Sequence, residues 1–233
     1  MITIRPSTER GTAKISWLTP RYTFSFADYI DPNHMGFRSL RVINEDIIAP
    51  GAGFPPHEHR DMEIITYILE GSLTHQDSLG NTSIIHEGEV QRMSAGSGIT
   101  HSEYNASGTD PVHLLQIWIF PNKKNIQPGY EQRLFKDKNQ HGQLKLLVDP
   151  QSRDGALKIH QDAMLYSGVF ESAEDKITYD IRPERYVWIQ VSKGSVMLNS
   201  QILNQGDGAA ISHEEKIVLS GAPNGEILLF DLD

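Results

Sequence analysis

The chain has 233 residues, 38% apolar and 22% charged, a globular balance with room for one large domain or two small ones. Its 21 Lys and Arg against 30 Asp and Glu leave a net charge of −9, which repels phosphate backbones and argues against a nucleic-acid partner. It has no cysteine, which removes disulfides, cysteine-held zinc, iron–sulfur ligation and thiol nucleophiles together and fits a reducing compartment.

Residues 1–14 are polar and carry Arg5, Glu9, Arg10 and Lys14, with no apolar run of the kind a secretory signal needs. The most apolar stretch, 114–120, is far shorter than a membrane span and contains Gln116. A cytoplasmic protein with no membrane partner is expected. Short β-branched and aromatic runs at 63–69, 82–86, 113–120, 186–191 and 226–232 predict strands. Turn clusters separate them, at Leu79-Gly80-Asn81, Glu87-Gly88-Glu89, Ser192-Lys193-Gly194, Gln205-Gly206-Asp207 and Pro223-Asn224-Gly225. No long segment keeps a 3.6-residue period, so the chain is expected to be all-β, with short helices only near 128–135 and 172–176.

The two halves echo each other. Tyr67-Ile68-Leu69-Glu70-Gly71-Ser72-Leu73 is matched by Ile189-Gln190-Val191-Ser192-Lys193-Gly194-Ser195-Val196, and Glu87-Gly88-Glu89-Val90 by Gln205-Gly206-Asp207-Gly208. A near-constant offset separates the matched glycines, and each half closes on an apolar strand. This order predicts two copies of one small antiparallel β-barrel. The expected division is an N-terminal barrel over 1–122, a polar linker over 123–143 broken by Pro128 and Gly129, and a C-terminal barrel over 144–233.

Two of the ten histidines open a pattern with chemical content. In a strand, residues two apart share a face, so His57 and His59 point together, and so do His101 and Glu103. Two such strands facing each other across a barrel would gather three imidazoles and a carboxylate. That donor set suits a borderline divalent metal: iron, copper, manganese, cobalt, nickel or zinc. One His-x-Glu follows His101, in His213-Glu214-Glu215, but it sits just past Ala209-Ala210-Ile211 at an expected strand end, and the repeat offset carries His57 and His59 to Asp180 and Arg182. One metal per chain is therefore expected, in the N-terminal half, with a structural C-terminal barrel. His75, His86 and His113 read as ordinary strand residues and His160 as structural.

The spacing Gly51, five residues, His57-x-His59, three residues, Glu63, seven residues, Gly71 resembles the first cupin motif, with its last spacer one residue longer than usual. Gly88, His101 and Asn105 fit the second motif, although Ser94 stands where proline is usual and four residues separate Gly96 from His101. These departures resemble the pirin-like bicupins. So do the blocks Tyr22-Thr23-Phe24-Ser25-Phe26-Ala27-Asp28-Tyr29, His57-Glu58-His59-Arg60-Asp61-Met62-Glu63 and Met93-Ser94-Ala95-Gly96-Ser97-Gly98-Ile99-Thr100-His101-Ser102-Glu103.

The resemblance implies two stacked jelly-roll barrels, with the metal on His57, His59, His101 and Glu103. The general cupin motif would make Glu63 a further ligand, whereas the pirin-like pattern places it behind the ligands, against a ligand histidine. The resemblance also implies an oxygenase of the quercetin 2,3-dioxygenase kind, with iron foremost among the metals and a small aromatic substrate and dioxygen as partners of a monomer. A flavonol would be opened at C2 and C3 with release of carbon monoxide, and Glu103 would also accept the substrate's proton. The alternative implied by the same family is a metal-sensing co-regulator that binds protein partners without turnover.

Overall fold

Alternation of β-branched residues with glycine turns produces strands almost throughout. The structure, a computed structural model, describes residues 1–135, 141–221 and 224–233. In chain order the strands begin with β1 (Ile2–Arg5), β2 (Leu18–Tyr22), β3 (Leu40–Ile48), β4 (Gly53–His59), β5 (Glu63–Glu70), β6 (Ser72–Asp77) and β7 (Thr82–His86). They continue with β8 (Glu89–Ser94), β9 (Ile99–Asn105), β10 (Val112–Ile119), β11 (Gly129–Leu134), β12 (Leu144–Asp149), β13 (Leu157–Lys158) and β14 (Met164–Phe170). The last are β15 (Lys176–Asp180), β16 (Tyr186–Lys193), β17 (Ser195–Leu198), β18 (Gln201–Asn204), β19 (Gly208–Ile211), β20 (Lys216–Gly221) and β21 (Gly225–Leu232).

The chain forms two units. The N-terminal unit comprises Gly11–Lys136 and Leu157–Gln161, the C-terminal unit Met1–Arg10, Asp137–Ala156 and Asp162–Asp233. In the first, one sheet runs β11-β8-β5-β10-β3-β2 and a smaller one β4-β9-β6-β7. In the second, the order is β1-β19-β16-β21-β14-β12 in the large sheet and β15-β20-β17-β18 in the small one. The two orders correspond strand for strand, so the repeat read from the glycines is a repeat of topology. The matched turns need the same backbone: Gly71 has φ +80° and Gly194 φ +63°, a region that favours glycine.

Each unit is the jelly-roll type expected, built as a pair of open sheets in a cupin-type sandwich rather than as a closed barrel. Leu18, Ile48, Ile68 and Leu114 of the larger sheet pack on Leu73 and Ile85 of the smaller one in the N-terminal unit. Val187, Ile189, Ile227 and Leu229 pack on Ile177, Leu198 and Leu219 in the other. The outermost strand beyond β8 is β11, and the matching position beyond β19 is filled by β1, at the far end of the sequence. That exchange places Met1–Arg10 in the C-terminal unit, away from the expected 1–122 grouping.

The same strand β11 replaces the helix expected near 128–135 and occupies part of the expected linker. It forms because Gly129–Leu134 completes the ladder of β8 residue by residue, from Gly129 opposite Ser94 to Leu134 opposite Glu89. The segment 172–176 is turns leading into β15, and the Asp175 carboxylate ties it by accepting from the backbone N–H groups of Glu171 and Ser172. Residues 136–140 of the expected linker and Pro223 of the expected turn lie outside the described residues. Among the described residues no helix is long and apolar enough to cross a membrane.

Candidate metal centre

Strand β4 is an edge strand, and its Pro55-Pro56 pair is tolerated there because an edge has N–H positions that need no partner. The ladder between β4 and β9 shifts between Phe54 and His57, a bulge that sets His57 directly opposite His101. Gly53 allows this close approach: a side-chain carbon there would lie 2.2 Å from the Glu103 carbonyl oxygen. The two motif strands are thus hydrogen-bonded neighbours in one sheet, where the sequence suggested opposite walls. Directly paired residues share a face, so His57, His59, His101 and Glu103 all project from the inner face of the small sheet.

The rings of His57, His59 and His101 lie 4.4 to 4.9 Å apart between centroids. Their ligand atoms fall within 4.8 Å of one another. Glu103 belongs to a second such group, with His101 and His75, rather than to the three-histidine group. All four expected ligands nevertheless line one cavity of about 370 Å³. The rest of its lining is mostly apolar and aromatic, with Phe26, Phe54, Ile64 and Trp118. Trp118 meets His59 edge-on at 4.9 Å and packs on Phe26 at 5.3 Å, which fixes the His59 ring.

The nitrogen roles can be assigned. The Nδ1–H of His57 donates to the Pro55 carbonyl at 2.8 Å, which leaves the Nε2 lone pair for a ligand. His101 is 2% exposed and its Nε2 is buried with no hydrogen-bond partner. Burial and the neighbouring His57 hold His59 down at about 4, and burial with the other histidines around it holds His101 at about 2. Both are neutral at pH 7 and can act as donors. An orphaned buried imidazole nitrogen beside two further imidazoles fits a borderline divalent cation.

Glu103 is 4% exposed. Its Oε1 accepts from the Gln116 side chain at 2.8 Å and more distantly from Thr66 Oγ1 at 3.5 Å. Burial pushes its carboxyl up to about 7, against the opposing pull of those two donors. Gln116 stands opposite Thr66 and Asn44 in the larger sheet, and Asn44 opposite Tyr22. A polar row of the large sheet therefore crosses the cavity floor beneath Glu103.

Glu63 lies elsewhere. It is fully buried, its Oε2 accepts from Ser94 Oγ at 2.9 Å, and its Oε1 is 3.3 Å from His160 Nδ1. It touches none of the ligand histidines, which corrects the expectation that it supports one. Ser94, in the place of the usual motif proline, is what engages it, and His160 has its structural role here. Glu63→Leu removes the buried acceptor of the Ser94 hydroxyl and the ion-pair partner of His160, so it is expected to cost about 1–3 kcal/mol of stability. Metal content should be untouched, as thermal melting and elemental analysis of one sample will show.

His75 was read as an ordinary strand residue, yet the structure puts it against the site. It is fully buried on β6, opposite Glu103, with its Nδ1 3.5 Å from His101 Nδ1. The signal was present: His75-Gln76-Asp77 has the same two-residue spacing as the other two pairs. His213 sits in a turn with φ +58°. Among the described residues, both metal-competent groups are in the N-terminal unit.

An open two-sheet unit with a histidine cluster on its inner face defines a cupin, and this chain carries two such units with one cluster. The chain belongs to the pirin family: the model described as Pirin matches residues 3–119. A second model, described as the quercetinase C-terminal cupin domain, matches residues 146–232. A protein of Escherichia coli K12 named quercetin 2,3-dioxygenase is 51% identical over 232 residues, covering 100% of this chain and 99% of its own. The crystal structure of YhhW from Escherichia coli superposes with TM-score 0.96 at 50% identity, covering 100% of this chain and 98% of that one. The same bacterial pirin in complex with nickel(II) gives 0.94 at 50% identity, covering 100% and 99%.

Proposed function

We propose that the chain is a metal-dependent dioxygenase that opens the central ring of flavonols such as quercetin. One observation carries this reading: His57, His59, His101 and Glu103 converge on a single mostly apolar cavity whose 370 Å³ suits a small aromatic molecule. The family relationship and the name of the 51% identical relative support it. Burial of His101 and Glu103 favours a small molecule over a protein partner, whose surface could not reach them.

His57, His59, His101 and Glu103 would hold one divalent metal, with iron proposed as the resident ion although the related structure holds nickel. When bound, that metal supplies the Lewis-acid and oxygen chemistry. The protein's own part is threefold. Phe26, Phe54, Ile64 and Trp118 exclude water and pack the aromatic rings. Gln116 fixes the Glu103 carboxylate through Oε1. Glu103 takes the proton of the flavonol 3-hydroxyl. Oxygen uptake with quercetin across a panel of metals tests the whole reading, and protein loaded with each of them that consumes no oxygen would overturn it.

The raised Glu103 pKa gives a pH prediction. With its carboxyl raised to about 7 by burial, the metal-free Glu103 holds its proton more fully at pH 6 than at pH 8. A cation needs the carboxylate, so nickel(II) affinity should rise from pH 6 to pH 8, with the Glu103 proton released in the lower range. His59 and His101 are already neutral and add nothing to this release. Calorimetry in buffers of different ionisation enthalpy counts the protons, and Glu103→Gln should lose that share of the release. An unchanged count in the variant would show that another group supplies the proton.

A further inference from the structure

The geometry points to a tautomer relay, Asp77–His75–His101, that presents the His101 Nε2 lone pair to the metal. It rests on the metal-site reading above. Asp77 closes β6, and its Oδ1 accepts from the backbone N–H groups of Leu79 and Asn81 at 2.9 and 3.0 Å. Its Oδ2 accepts from Asn81 Nδ2 at 2.8 Å. The turn therefore clamps the carboxylate before any histidine is considered.

That fixed carboxylate lies 3.1 Å from His75 Nε2. A carboxylate only accepts, so the hydrogen is on His75 Nε2 and the lone pair of the neutral ring is on Nδ1. The Nδ1 atoms of His75 and His101 approach to 3.5 Å, which leaves room for one hydrogen between them. Since His75 Nδ1 is the acceptor, His101 Nδ1 carries that hydrogen. The remaining nitrogen, His101 Nε2, then holds a lone pair, and it is the buried nitrogen that has no partner in the protein. Tyr130 lies over the His75 ring with centroids 4.8 Å apart and planes 31° from parallel, which holds the ring in its orientation.

His57 reaches the same state by a different route, through the Pro55 carbonyl. Two of the three imidazoles are thus pre-set as Nε2 donors. Metal-bound histidines commonly give their other N–H to a carboxylate or carbonyl, and losing that support costs about 10–100-fold in affinity. Here the carboxylate acts one imidazole further out. His75 is a positioning residue: it touches His101, not substrate.

The test has two readouts. The first is the histidine tautomer in metal-free protein, from long-range 1H–15N correlation spectra of 15N-histidine-labelled samples. Wild type should show His101 as the Nδ1–H form and His75 as the Nε2–H form. His75→Leu should release His101 into a mixture, whereas His75→Asn, which sets an amide oxygen near the place of Nδ1, should restore the Nδ1–H form. Asp77→Asn, a change of nearly equal shape, should weaken the His75 preference and keeps the test open if His75→Leu does not fold.

The second readout is nickel(II) affinity by chelator competition. His75→Leu should bind about 10–100-fold more weakly, and His75→Asn should recover most of the loss. Either of two results overturns the relay: His101 as the Nε2–H form in wild type, or unchanged affinity in His75→Leu. If His75→Asn keeps the His101 tautomer yet binds as poorly as His75→Leu, His75 is itself a ligand and the relay is equally wrong. Failure of the metal reading is separate: wild type would then bind no nickel, while the spectra would still report the tautomers.

Discussion

The double variant His57→Ala, His59→Ala should retain no metal, where wild type is expected to carry one per chain. Both rings are half-buried on an edge strand, so truncating them opens no core cavity and the metal-free protein should still fold. What remains is His101 and Glu103, two donors for a cation that prefers four or more protein and water ligands. Affinity should fall by well over ~100-fold, since loss of groups behind the ligands alone costs about 10–100-fold. Elemental analysis measures the content. Melting with and without nickel(II) measures the linkage: a ligand that binds only the folded state raises wild-type stability in proportion to the logarithm of its concentration over Kd, and the variant should show no shift. Oxygen uptake should vanish with the metal. Metal that survives the double change, or two metals per wild-type chain, would place the centre elsewhere.

Much of this was legible because the fold obeys a period of two. The parity of His57 with His59 and of His101 with Glu103 follows from strand geometry alone, and the structure keeps it. Parity does not say which strands are neighbours. The bulge at Pro55-Pro56 made β4 and β9 partners in one sheet, and pairing of β6 with β9 then brought His75 and Asp77 to the same face. His75 was hidden for that reason, although its own spacing to Asp77 repeats the pattern. Glu63 was misplaced for a related reason: the motif fixes its position in sequence, but its partners Ser94 and His160 come from β8 and from a segment nearly a hundred residues on. The exchange of β1 and β11 as outer strands was equally beyond local reading. Both are short, and only the ladder each completes distinguishes a strand from a connecting segment.

Glu103→Gln should separate metal retention from chemistry. The substitution keeps an amide oxygen where the carboxylate stood and fits the same volume, so part of the metal should remain. It removes the basicity. A flavonol must lose its 3-hydroxyl proton to act as an anionic ligand, and the acceptor has to reach the cavity. As metal ligands the three histidines could not take it, because a neutral imidazole has a single free lone pair and that pair would be spent on the metal. Glu63 is buried in another cluster with Ser94 and His160, and Asp77 is committed to its turn and to His75. Asp46 lines the cavity but is not among the metal-competent groups. Glu103 is left, a buried carboxylate on the cavity wall within reach of a metal-bound substrate oxygen. Turnover per bound metal should therefore drop by roughly 10²–10⁴-fold, the range general-base catalysis supplies, while Glu63→Gln should change it little. Normalising to bound metal matters, since weak retention alone would otherwise look like lost catalysis. Wild-type turnover in metal-loaded Glu103→Gln would move the base to Asp46 or to solvent and end the role assigned to Glu103.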